Sequence, residues 1–181
     1  MTYFDELTKA MTYLGQQPDT IFIGQQVRYP GNALHATLAG VPMSKRIEVG
    51  VMEDAQLGMA IGLALAGKVP ICIFPRMDFL LCAMNQLVNH LENHPDLRVI
   101  VRTCVGSRTP LDPGPQHSGD YVEGLRHMLK NVGVCDLIGP DQIMRAYQMA
   151  AGTHSDRYAE AAGCRHKSYV MVERGDRYGM E

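Results

Sequence analysis

The sequence has no tryptophan and only four phenylalanines among its 181 residues. Neither charge sign dominates. Seventeen Lys and Arg stand against nineteen Asp and Glu, a net charge of −2, so nothing recommends nucleic acid or a membrane surface as a partner. No apolar run is long enough to cross a bilayer. Residues 1–17 are mixed polar and aromatic, which is not the pattern of a signal peptide, and a cytoplasmic protein is expected. The five cysteines are odd in number, widely spaced and mostly set in apolar runs. They read as small buried hydrophobes in a reducing compartment, not as a disulfide framework or a metal site. There is no repeat, no low-complexity tract and no linker, so residues 1–181 are read as one domain with a real core. What the chain does have in number is methionine, twelve in all, which suits adaptable packing.

The periodicity predicts an α/β fold: a single three-layer domain, a mostly parallel sheet with helices on both faces. An amphipathic first helix is expected over 2–14, with Phe4, Leu7, Met11 and Leu14 on its apolar side, and a buried strand over 20–24. Residues 28–44 have loop character, with a turn of helix near 33–38. The centre of the chain is 47–86: a strand over 47–52, a helix from Glu53 stopped by Gly67, a strand over 69–74, and a helix over 78–94. Such short strand–helix–strand connections argue for parallel pairing. A strand over 97–103 follows, then a Gly- and Pro-rich loop over 104–120, a helix over 121–131, a strand over 134–138, a helix over 140–153 and a last strand over 168–173. The stretch 154–167 is polar and irregular.

Several residues invite chemistry. Glu53 stands where a strand gives way to a helix, at the carboxyl edge of the sheet, where open α/β sheets bind ligands. An acid there also serves simply to favour the helix N-terminus, and both readings stand. His117 lies on the long loop, and a loop of that length in a compact domain is functional or disordered. Arg108, on the same loop, is suited to a substrate carboxylate or phosphate. The loop lacks the spacing of a phosphate-binding Walker motif. His90 and His94 have metal-ligand spacing on a helix, but no third ligand is near, and an exposed face explains them. Gly58 and Gly62, four residues apart with Ala66 beyond, permit close approach of another helix. That helix belongs either to this fold or to another copy of the chain.

The residues Glu53, Gly58, Gly62, Ala66 and Gly67, then Pro70, Phe74, Phe79, Ala83 and Gln86, with Gln116-His117-Ser118 further on, carry a resemblance across 20–173. In these the chain resembles the thiamine diphosphate pyrimidine-binding domain, as found in the beta subunit of 2-oxo acid dehydrogenase decarboxylase components and in transketolases. The resemblance implies the following roles. Glu53 hydrogen-bonds a nitrogen of the cofactor's aminopyrimidine ring and so activates it. Phe79 packs on that ring, and Val51 and Pro75 line its site. His117, with Gln116, Arg108 and His35, faces the substrate. The Gly58/Gly62 helix lies at a subunit interface. Gln25-Gln26 stands where those beta subunits carry an acid-rich turn, a departure that removes an acid from this edge.

The other half of such an enzyme holds the diphosphate through Mg2+, with a Gly-Asp-Gly motif. Here only Gly175-Asp176-Arg177 echoes it, without the third glycine. No metal ligand is therefore expected in this chain. A partner subunit carrying the Gly-Asp-Gly half is expected, with thiamine diphosphate bound between the two. The resemblance thus implies the small subunit of a split thiamine diphosphate enzyme acting on a 2-oxo acid or a ketose. The alternative is a non-catalytic or regulatory partner module. A flavodoxin-like nucleotide binder is a third reading, but Gly24-Gln25-Gln26 is no glycine cradle.

Overall fold

The computed structural model describes residues 2–109, 112–153 and 166–179. Six strands form one all-parallel sheet in the order β2-β1-β3-β4-β6-β5. They are β1 (Thr20–Gly24), β2 (Arg46–Glu48), β3 (Val69–Ile73), β4 (Ile100–Val105), β5 (Val132–Leu137) and β6 (Ser168–Arg174). Helix α1 (Tyr3–Gln16), the single turn α2 (Ala33–Ala36) and α6 (Pro140–Ala151) cover one face of the sheet. Helix α3 (Glu53–Leu65), the helical stretch that opens with α4 (Met77–Leu80), and α5 (Val122–Met128) cover the other. This is the expected three-layer arrangement. A parallel sheet buried on both faces has continuous apolar strands, as in β3 and β6.

Helix α1 follows its pattern: Leu7, Met11 and Leu14 are fully buried, with Ala10 among them. Thr2 closes its start as a capping box with Asp5, each side chain bonding the other's backbone N–H at 3.1 Å. Several strand limits differ from the sequence expectation: β2 ends at Glu48 and not at 52, β4 runs Ile100–Val105 and not 97–103, and β5 runs Val132–Leu137 and not 134–138. After Glu48 the Val49 N–H still bonds the Gly24 carbonyl of β1 at 3.1 Å, and the Glu48 carboxylate turns back to bind the N–H groups of Gln26 and Arg28. Strand β4 starts at Ile100, three residues late. Ser168 Oγ donates to the Leu97 carbonyl and accepts from the Val99 N–H, so a serine side chain takes the place of ladder pairing there. The expected helix over 78–94 is continuous in path but mixed in pitch: α4 runs into a 3-10 turn (Leu81–Ala83), a π-helical stretch (Asn85–His90) and a second 3-10 turn (Leu91–Asn93). The irregular stretch expected over 154–167 lies outside the described residues except at its last two positions.

The β1–β3 pair leaves no space for a side chain at Gly24. Gly24 pairs with Ile73, and a side chain at Gly24 would collide with the Ile73 carbonyl oxygen. Gly24→Ala should therefore destabilise the fold by about 1–3 kcal/mol, the usual cost of overpacking. It should also disturb the turn that follows. Urea unfolding measures the first effect, and an unchanged midpoint would contradict it.

A buried ionic cluster sits between β4, β6 and α6. Arg102 and Glu173, both fully buried, form a two-pronged pair, Nε to Oε1 at 2.6 Å and Nη2 to Oε2 at 3.0 Å. Tyr147 and Tyr178 each donate a hydroxyl to the same carboxylate, and Arg102 Nη2 also donates to Thr37 Oγ1 at 2.8 Å. Burial and then the Glu173 charge push both phenols far above their usual range, so they remain donors. Burial alone would lower Arg102, but the Glu173 charge, the two tyrosines and the hydrogen bond to Glu173 together outweigh it and hold the guanidinium charged.

Candidate functional site

The carboxyl ends of the strands bring the candidate residues together along one edge. Helix α3 begins at Glu53, five residues after β2. Its N-cap, Met52, makes no side-chain cap bond. The Glu53 carboxylate does not cap the helix either. Its Oε1 accepts the side-chain amide of Gln25, at the end of β1, at 3.0 Å. No other partner of Glu53 is found among the described residues, which leaves Oε2 free. The next acid, Asp54, points elsewhere and accepts from Gln86 at 3.1 Å.

The Phe79 ring is half-buried on α4, and the His117 ring meets it edge-on, centroids 5.4 Å apart at 83°. His117 belongs to a short 3-10 turn, Pro115–His117, that follows Gly114 at φ 82°, a left-handed conformation that glycine adopts freely. The turn is tied to the rest of the fold. Asp78 on α4 accepts the Gly119 N–H and the Tyr121 hydroxyl, both at 3.2 Å. That hydrogen bond and the Asp78 charge raise the Tyr121 phenol. Asp120 accepts from Arg174 at 2.5 Å, and burial, which raises its carboxyl, is outweighed by this bond and by the Val122 N–H. The hydrogen bonds to Asp136 first, and then to Asp120, raise Arg174 in turn. The backbone of His117 lies directly on Gly106, where any side chain would collide with the His117 carbonyl. His117 Nδ1 is buried and has no hydrogen-bond partner among the described residues. A buried polar atom without a partner is costly.

The other expected residues are placed as follows. Pro75 is buried at the end of β3, with its carbonyl bound by Arg76 at 3.1 Å. Val51 is 83% exposed in the loop before α3. Gln116 is exposed beside His117. Arg108, also exposed, lines a cavity of about 490 Å³ with Gly106, Arg174 and Arg177. His35 is half-buried on α2, its Nδ1 2.9 Å from the Gln26 carbonyl oxygen, so it is tied to the turn that carries Gln25. The two glycines of α3 have different surroundings. Gly58 packs against Gln86 of the neighbouring helical stretch, whereas Gly62 faces open space beside the exposed Met59 and Leu65. His94 turns back on its own helix, Nδ1 2.7 Å from the His90 carbonyl. Among the described residues no three His, Cys, Asp or Glu side chains are grouped to hold a metal ion. Burial pushes the thiols of Cys72 and Cys104 up to about 12, so both are unreactive core residues.

Sequence reasoning missed the partner of Glu53, the Asp78–Tyr121 anchor of the His117 loop, and the Arg102–Glu173 cluster. Gln25 was visible only as a departure from an acidic turn. Nothing local in the sequence says that its amide crosses to a residue 28 positions later.

No helix among the described residues is long and apolar enough to cross a membrane. A search of the curated proteins finds no match to the chain. Among solved structures the chain is similar to one described as a split-gene transketolase, an inactive beta4 tetramer, with a TM-score of 0.69 at 19% identity. That match covers 96% of this chain and 51% of the other, so this chain spans about half the length of the protein it resembles. At that identity the likeness establishes the fold. The family model for the transketolase pyrimidine-binding domain matches residues 1–159. With that match over most of its length, this chain belongs to the transketolase pyrimidine-binding domain family.

Proposed function

We propose that this chain is the small subunit of a split thiamine diphosphate enzyme, acting on a ketose or a 2-oxo acid. The observation that carries the reading is Glu53: a carboxylate at the carboxyl edge of the sheet, one oxygen held by Gln25 and the other free. Its surroundings suit the aminopyrimidine ring, with a half-buried aromatic, Phe79, on the same edge and a partnerless nitrogen on the adjoining His117.

In this reading Glu53 binds a ring nitrogen through Oε2 and shares a proton there, work that suits a carboxylate in a site closed to water. Phe79 packs on the ring, and Pro75 and the backbone at Val51 complete its pocket. His117 faces the substrate. Gln116 and Arg108 lie on the same loop and line the substrate's path, with His35 behind the Gln25 turn. Thiamine diphosphate, when bound, supplies the carbon nucleophile and the electron sink. Its diphosphate and Mg2+ are held by a partner subunit bearing the Gly-Asp-Gly motif. The outer face of α3, with Gly62, Met59 and Leu65, is the surface for self-association. The similar split-gene transketolase is described as an inactive tetramer, which supports an assembly of this chain that is inactive by itself.

Calorimetry with thiamine diphosphate and magnesium tests this. Binding is expected only when the chain is mixed with its Gly-Asp-Gly partner. Tight binding by the chain alone would overturn the shared site. No binding in either case would favour a non-catalytic partner module.

A further inference from the structure

The turn that carries Gln25 is built more firmly than a connection between two elements needs. Glu48 accepts the Gln26 N–H at 2.6 Å and the Arg28 N–H at 2.7 Å. Asn32 Nδ2 donates to Gln26 Oε1 at 2.6 Å, and His35 Nδ1 lies 2.9 Å from the Gln26 carbonyl oxygen. Gln26 is the one residue other than glycine with positive φ, at 57°, among the described residues. A residue with a side chain occupies that region at a cost, and persists there only where its surroundings over-determine it. Directly before the turn, Gly24 lies so close to β3 that any side chain there would meet the Ile73 carbonyl oxygen. Four side-chain contacts and one strained residue thus converge on a turn whose outward product is the Gln25 amide, placed 3.0 Å from Glu53 Oε1.

A carboxylate end rotates over a broad, two-fold range when nothing holds it. A donor fixed on one oxygen removes that freedom and decides which oxygen is presented. The donor here is neutral, so it can give a hydrogen bond to Glu53 without competing for the proton that Glu53 shares. We propose that Gln25 is a positioning residue: through its clamped turn it ties Oε1 of Glu53 and presents Oε2 to the aminopyrimidine nitrogen. This rests on the function proposed above. It adds to it a residue that neither the family likeness nor the sequence pattern assigned. His35 has its part here as one of the clamps.

The test needs a readout other than turnover, and ring recognition supplies one. Calorimetry on the complex with its Gly-Asp-Gly partner, in magnesium, compares thiamine diphosphate with an analogue whose recognised ring nitrogen is replaced by C–H. The wild-type complex should bind the analogue about thirtyfold more weakly, the loss of a hydrogen bond to a charged group. In Gln25→Leu, and in Gln25→Met, which keeps the length of the side chain but cannot donate, that gap should shrink to less than about threefold. Thermal melts establish which variants are folded. A gap kept at about thirtyfold in either folded variant would overturn the role of Gln25 and leave that of Glu53 intact. No gap in the wild-type complex would overturn the role of Glu53 itself.

Discussion

Glu53→Gln should reduce turnover of the reconstituted complex by about a thousandfold, with little change in its stability. Proton transfer through a positioned side chain contributes roughly a hundredfold to ten-thousandfold to a rate. Glu53 combines an oxygen fixed by Gln25 with a free one. The amide keeps the size and shape of the side chain but cannot share a proton as a carboxylate does. The fold should tolerate it. Glu53 is half-exposed, makes no capping bond and has only the Gln25 contact to lose. Turnover is the measurement, with thermal melting beside it as control. A loss of less than about tenfold in a folded complex would remove Glu53 from the chemistry and return it to the role of a helix-start acid.

The second large effect is on stability. Arg102→Met should cost about 3–5 kcal/mol, because it leaves a buried carboxylate without its counter-charge. Glu173 would keep only the hydroxyls of Tyr147 and Tyr178. For a chain of this size that corresponds to a fall in melting temperature of roughly 10 °C, at about 2–4 °C per kcal/mol. The usual rescue, replacing both charges by apolar residues, should recover little here. Arg102→Met with Glu173→Leu leaves the two phenols without the acceptor they have now, and each orphaned buried group costs about 1–3 kcal/mol. Urea unfolding of both variants decides. A single-variant loss below about 1 kcal/mol, or a double variant as stable as the wild type, would show that the cluster relaxes or hydrates more readily than its burial implies. The cluster also bears on the site. It ties β4, which leads into the His117 loop, to α6 and to the turn after β6, so a loosened cluster should carry the loop with it.

Much of the fold was legible in one dimension. Helix α1, strands β1, β3 and β6 and the parallel order follow from periodicity, because apolar spacing reports which face of an element is buried, and burial is what a sheet with two helical layers demands. The late start of β4 goes with the Ser168 side chain bonding backbone groups far along the chain. Such bonds leave no periodic trace. Of the candidate site, the family pattern marked Glu53, Phe79 and His117 as positions, and the strand-to-helix junction marked Glu53 by itself.

The sequence by itself therefore determined the architecture, the family, and the residue types available at one edge of the sheet. These depend on local spacing and on what each side chain can do chemically. Only the tertiary structure decided which groups meet: that Gln25 and not an acid faces Glu53, that Gly58 packs inward while Gly62 lies open, that the His117 ring stands edge-on to Phe79, and that Arg102 lies beside Glu173. The reason is distance along the chain. A hydrogen bond or a ring contact needs atoms within a few ångströms, and the partners here come from strands and loops that the sheet alone brings side by side.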